Sequence, residues 1–194
     1  MNLSSIPAPC EIIRSTQLWV ERVVVGLQLC PFAKPVMNKE LIRYVVCQER
    51  EQADVIDTLD SELLFLNDVD PSEVETTLLV LPRIEGDFLD FHFLVDACRK
   101  RLKALRLNGV MQLADFHPRY EFAGSEPKDP ANATNRSPYP TLHLLREDSI
   151  ERARSSALSA QSIVERNQAL LRGLGWAGIN DILVDTEQKH GEAH

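Results

Sequence analysis

Apolar positions along the chain alternate between helical and extended periods. From Ile12 to Leu29, the spacing of Trp19, Val23, Leu27 and Cys30, broadened by Val20 and Val24, is that of an amphipathic helix. Two prolines in Cys30-Pro31-Phe32-Ala33-Lys34-Pro35 are expected to end it. The valine run 23–25 leaves a strand as the competing reading. Residues 41–48 (LIRYVVCQ) are short and β-branched and predict a strand, and Val55, Leu59, Leu63 and Leu66 predict a helix over 51–66. Residues 75–82 (ETTLLVLP) are apolar enough for a strand buried on both faces. Phe88, Phe91, Val95, Cys98, Leu102 and Leu105 give the clearest helix, over 87–107, with Asp87 as N-cap and Gly109 as its stop. Residues 109–117 predict a third strand and 141–147 a fourth. Asp148, with Glu151 three residues on, opens a last helix that should end at Gly173.

This order (helix, strand, helix, strand, helix, strand, long loop, strand, helix) predicts a single-domain α/β (or α+β) sandwich. Its mixed, mostly parallel sheet of about four strands would be covered by helices, and the fourth strand is free to return antiparallel to the third. Residues 1–10 are expected to be a flexible N-terminus, 11–175 the domain, and 176–194 a polar C-terminal tail. A chain of 194 residues can bury ~70% of its unfolded surface without a metal or disulfide.

Charge and cysteines then narrow the classes. A net charge of −8 argues against a general nucleic-acid binder. The acidic face Glu51, Asp54, Asp57, Asp60, Glu62 and the basic run Arg99-Lys100-Arg101-Lys103-Arg106 read as solvated helix faces. Cys10, Cys30, Cys47 and Cys98 form no CxxC pair, so neither a disulfide framework nor a thiolate zinc site is expected, and free thiols fit a cytoplasmic protein. Neither a signal peptide nor a membrane span is legible. GxGxxG, GxxxxGK[ST] and GxSxG are absent, so no cofactor is expected. Cys30, His117, His143 and Asp115 are metal-ligand types without linking spacing, and no metal is expected.

Candidate chemistry concentrates in the loop 118–140, which carries five of the eleven prolines and one glycine, Gly124. Loops this long are usually functional or disordered, and proline makes this one stiff. It begins at Phe116-His117-Pro118-Arg119-Tyr120, the carboxyl end of the third strand, where open α/β sheets hold ligands. Arg119 and Arg136 offer planar forks for phosphate or carboxylate. Asn135 and Ser137 offer neutral hydrogen bonds, and Tyr120 and Tyr139 flat walls. His117 is the candidate acid/base, with His143 and Arg146 on the fourth strand as further contacts. Against this, a polar loop can simply bridge its own fold. Cys30 is either a nucleophile, if Pro31 opens a helix that it caps, or core packing at the end of the preceding helix.

The segments LCPFAKPV, ETTLLVLP, QLADFHPRY and NRSPYPTLHLLRE together resemble an uncharacterised, mostly bacterial family known only as domain of unknown function 1415, over about residues 15–173. The resemblance implies a cytosolic protein whose defining segments are Cys30–Ala33, Phe116–Tyr120 and Asn135–Pro140, and implies no activity. The residues point to an enzyme acting on a small anionic metabolite. His117 and Cys30 would be catalytic, and Arg119, Tyr120, Asn135, Arg136, Ser137, Tyr139, His143 and Arg146 would bind substrate. The alternatives are a non-catalytic ligand-binding or regulatory domain, or a protein–protein adaptor using the proline loop. Oligomeric state is not legible.

Overall fold

The structure, a computed structural model, describes residues 6–84, 87–154 and 160–184. In chain order the elements are α1 (Pro9–Trp19) with a π-helical continuation Val20–Val25, α2 (Ala33–Asn38), β1 (Ile42–Val46), α3 (Gln52–Asp68), β2 (Thr76–Val80), α4 (Phe88–Ala104), β3 (Met111–Phe116), a 3-10 helix Pro130–Asn135, β4 (Thr141–Arg146), α5 (Glu147–Arg154) and α6 (Ala160–Val184). The sheet order is β1-β2-β4-β3.

The fold is α/β in one domain, and the four expected strands are present. The sheet, however, is mixed rather than mostly parallel. Only β1 and β2 pair in parallel; β4 runs antiparallel to both β2 and β3. The reason is where β4 inserts. Crossovers through α3 and α4 give β1, β2 and β3 one direction, and the loop after β3 returns the chain into the gap between β2 and β3. Thr141, Leu142 and Leu144 of β4 are buried, as an interior strand requires, while β3 exposes Gln112 at the edge.

Strand alternation then assigns two cores. Leu79 of β2 and Leu81 just beyond it, Leu142 and Leu144 of β4, and Leu113 of β3 face α3 and α4, where Val55, Leu59, Leu63 and Leu66 meet Phe91, Val95 and Cys98. Each fully buried leucine contributes ~1.5–3 kcal/mol. On the opposite face Leu78 meets Trp19, Val20 and Val23 from the first helix and Leu171 and Ile179 from α6. The charged helix faces are not merely solvated. Glu62 accepts two hydrogen bonds from Arg43 (2.8 and 3.0 Å), Asp60 accepts from Arg101 Nε (3.0 Å), and Arg99 pairs with the buried Asp115 (2.7 Å).

Three boundaries differ from expectation. Pro9 and Cys10 already belong to α1. The segment CPFAKP does not simply end a helix: Pro31 sits in a turn and Pro35 in the first turn of α2, where the missing N–H has no intrahelical acceptor. Helix α6 passes Gly173, bends at Gly175 (φ 63°, ψ 174°) and runs to Val184 with Ile179 buried, where a tail was expected from 176. Glycine fits that left-handed backbone without a Cβ clash. The polar stretch 185–194 lies outside the described residues.

Candidate functional site

The carboxyl ends of β1, β2 and β3 share one edge of the sheet, and FHPRY emerges there. His117 continues β3: its N–H donates to the Asn135 carbonyl (3.1 Å), and its Nδ1 accepts the Arg119 N–H (3.1 Å). The residue is 4% exposed, with its ring stacked on Phe91 at 5.1 Å and against Phe88 at 5.5 Å. Burial first, then the positive charges of Arg119 and Arg136, push its pKa down to about 4, with Asp87 opposing. His117 is therefore neutral at pH 7.

Its neighbours are engaged with one another. Arg136 Nε donates to the Tyr120 carbonyl (3.0 Å) and Nη2 to the Pro127 carbonyl (2.9 Å), with the guanidinium 4.6 Å above the Trp176 ring. Asn135 Nδ2 donates to the Asp115 carbonyl (3.3 Å), and Ser137 Oγ to that of Tyr139 (2.6 Å). Tyr120 packs on Phe88 at 4.8 Å. Asn132, fully buried, accepts from the Phe122 N–H (3.1 Å) and donates to the Glu126 carbonyl (2.9 Å), closing the loop on itself.

A cavity of about 460 Å³ lies on the other face of the sheet. Its floor is Ile42, Thr76, Leu78, Phe116 and His143; its walls are Trp19, Val20 and Val24, the Cys30-Pro31-Phe32 turn and α2; its rim carries Lys39, Glu75, Arg146, Ser149 and Arg152. Local sequence builds it. The π-helical turn closes at Gly26, where a Cβ would collide with the Arg22 carbonyl oxygen. The chain then swings back to the sheet, held by the buried Asn167, whose Nδ2 donates to the Leu29 carbonyl (2.8 Å), and by Arg166 on the Gln28 carbonyl. Cys30 is thereby set at the wall.

The predicted residues thus separate. Cys30, His143 and Arg146 border the cavity; His117, Arg119, Tyr120, Asn135, Arg136, Ser137 and Tyr139 do not. Alternation explains the split, because His143 pairs with Leu78 and Ala114 on the cavity face, whereas His117 packs with the α4 aromatics on the other. Thr76, Lys39, Glu75, Ser149 and Arg152 were not singled out by sequence, and Trp19 was read only as part of the apolar stripe of the first helix. Only the β2–β4 pairing brings Thr76 beside His143, and no local pattern encodes it.

Electrostatics at the cavity are those of a half-desolvated site. Burial raises the Cys30 thiol pKa, outweighing hydrogen bonds from the Phe32 and Ala33 amides that favour the thiolate. His143 is pushed to about 4 by burial and is neutral at pH 7, with Nε2 2.8 Å from Thr76 Oγ1. Arg146 Nη2 donates to the Val69 and Val74 carbonyls (2.8 and 3.2 Å), and its buried Nε has no hydrogen-bond partner among the described residues. Arg152 lies 3.5 Å from Glu75 and donates to Ser149 Oγ (2.9 Å). Among the described residues no group of three or more His, Cys, Asp or Glu could hold a metal ion, and no helix is long and apolar enough to cross a membrane.

Fold and site together define a helix-covered mixed-sheet α/β protein with a half-open, largely apolar cavity under cationic side chains. The chain belongs to the family described as "Protein of unknown function (DUF1415)", whose family model matches residues 11–181. No match was found among curated proteins or among solved structures.

Proposed function

We propose that this protein binds a small anionic molecule with an apolar body in the sheet-face cavity. The supporting observation is the combination of a 460 Å³ apolar chamber with a rim that carries Lys39, Arg152 beside Glu75, and Arg146, which also holds the Val69 and Val74 carbonyls. That volume is in the range of small-ligand sites, which pair apolar walls with a few placed polar groups. The cations suit a carboxylate or phosphate, and the Trp19–Phe116 pair (5.1 Å, 69° between planes) suits an aliphatic or aromatic body. In this reading Cys30 and His143 are the wall groups in place to carry chemistry on a bound ligand. The FHPRY and NRSPYP segments build the carboxyl edge of the sheet.

The test is a thermal-shift and calorimetric titration of the full chain with C4–C8 alkyl carboxylates and alkyl phosphates, against neutral alcohols of matched length. A ligand at 100 times its Kd stabilises the folded state by ~2.7 kcal/mol, an upward Tm shift of roughly 5–11 °C for a chain this size. Val36→Trp, which places an indole in the chamber, is expected to remove the shift. Equal shifts in wild type and Val36→Trp, or none for any anion, would refute the proposal.

A further inference from the structure

The hydrogen-bond chain on the cavity floor determines what His143 offers a ligand. Thr76 Oγ1 is 2.6 Å from the Leu144 carbonyl oxygen and 2.8 Å from His143 Nε2. A carbonyl has no proton to give, so the single hydroxyl hydrogen of Thr76 goes to Leu144. Thr76 Oγ1 then faces His143 as an acceptor, and Nε2 must carry the ring's proton. A neutral imidazole has one such proton, so Nδ1 is a bare lone pair.

That lone pair has no partner among the described residues. The His143 side chain borders the cavity, between Thr76 and Phe116 on its floor. β4 is an interior strand and His143 sits on its helix-covered face, so the ring's remaining exposure is to the cavity. The cations around it cannot take a hydrogen bond from a ligand. Lys39, Arg146 and Arg152 only donate, and Glu75 is held by Arg152.

We propose that His143 Nδ1 is the specificity-determining acceptor of the cavity, and that its ligand carries an uncharged hydrogen-bond donor, such as a hydroxyl, on its apolar body in addition to its anionic group. This rests on the reading of the cavity as an anion-binding site. Thr76 is the positioning residue, acting on the ligand only through the tautomer it imposes. A ligand without the donor leaves Nδ1 unpaired on binding, and one neutral hydrogen bond of this kind is worth about a factor of 10 in affinity.

The experiment compares hexanoate with its 2-, 3-, 4-, 5- and 6-hydroxy derivatives by calorimetry on the full chain. At least one isomer is expected to bind about 10-fold tighter than hexanoate. In His143→Phe and in Thr76→Val the ratio of the two Kd values should fall toward one, whatever happens to hexanoate itself; a purely structural role would weaken both ligands and leave the ratio standing. Independently of any variant, a two-bond proton–nitrogen correlation spectrum of wild type at pH 7 should show His143 protonated on Nε2 and bare on Nδ1. A ring protonated on Nδ1, or hexanoate binding with no isomer gaining, would overturn this proposal and leave the cavity reading intact. Failure of hexanoate, all its isomers and the other alkyl carboxylates and alkyl phosphates to bind would bring down the cavity reading and this proposal with it.

Discussion

Replacing Arg136 by methionine separates a scaffold arginine from a ligand arginine. The side chain volume is largely kept while three interactions are lost. The part-buried hydrogen bond from Nε to the Tyr120 carbonyl is charge-assisted and contributes ~1.5–2 kcal/mol. The exposed bond from Nη2 to the Pro127 carbonyl adds about 0.5 kcal/mol, and the stack on Trp176 about 0.5–1 kcal/mol. The sum is about 3 kcal/mol, which lowers Tm by roughly 6–12 °C in a domain of this size. Urea unfolding followed by far-UV circular dichroism measures it, with an unchanged m-value showing that the loss is one of stability. Arg136→Lys keeps the charge, but a single ammonium cannot serve two carbonyls and a ring face, so about half the loss is expected. A loss below about 0.5 kcal/mol in Arg136→Met would refute the reasoning, because these ties would then contribute nothing and the guanidinium would have to be kept for another purpose.

Further expectations concern pH, thiols and a helix cap. His117 and His143 both sit at about 4 in the fold against 6.5 when unfolded, so the unfolded chain binds more protons between those values. Stability is then fully present above pH 6.5 and falls as pH drops toward 4, by up to about 3 kcal/mol per histidine, partly offset by Asp115, whose carboxyl pKa burial raises. Urea midpoints equal at pH 7 and 4.5 would refute it, and His117→Phe should remove about half the slope. Iodoacetamide at pH 7.5 should label exposed Cys10 first, Cys30 slowly, and Cys47 and Cys98 only after unfolding, with the Cys98 thiol pushed up to about 12; a fast-reacting Cys30, read by peptide mass spectrometry, would contradict its raised pKa. Asp87 accepts the Leu89 and Asp90 N–H groups at 2.8 and 3.0 Å, so Asp87→Ala should cost about 1 kcal/mol by urea unfolding, and an unchanged midpoint would show the cap to be idle.

Much of the architecture was legible where the period was long and uninterrupted. The 3-4 stepping of α4 and the capping aspartate before it located that helix to within a few residues, since a strongly amphipathic face can be buried in only one way. The break around Gly26 was not legible, because its cause is a π-turn, which leaves no apolar period, and the helix after Pro31 entered only as one of two readings of Cys30, with Phe32 rather than Cys30 in the capping position. Of the candidate residues, Cys30, His143 and Arg146 reach the cavity, and the loop arginine Arg136 reaches carbonyls of its own loop instead. A sequence shows that a guanidinium is present; only the fold shows which acceptor reaches it first.

By itself the sequence determined the element types, the single-domain α/β class and the family, because periodicity, caps and local motifs are properties of neighbouring residues. The tertiary structure alone decided that β4 lies between β2 and β3. That insertion sets His117 and His143 on opposite faces of one sheet and puts Thr76 against His143. The physical reason is the two-residue alternation of a strand. Which face a side chain takes depends on register with a partner far away in sequence, and no local pattern carries that register.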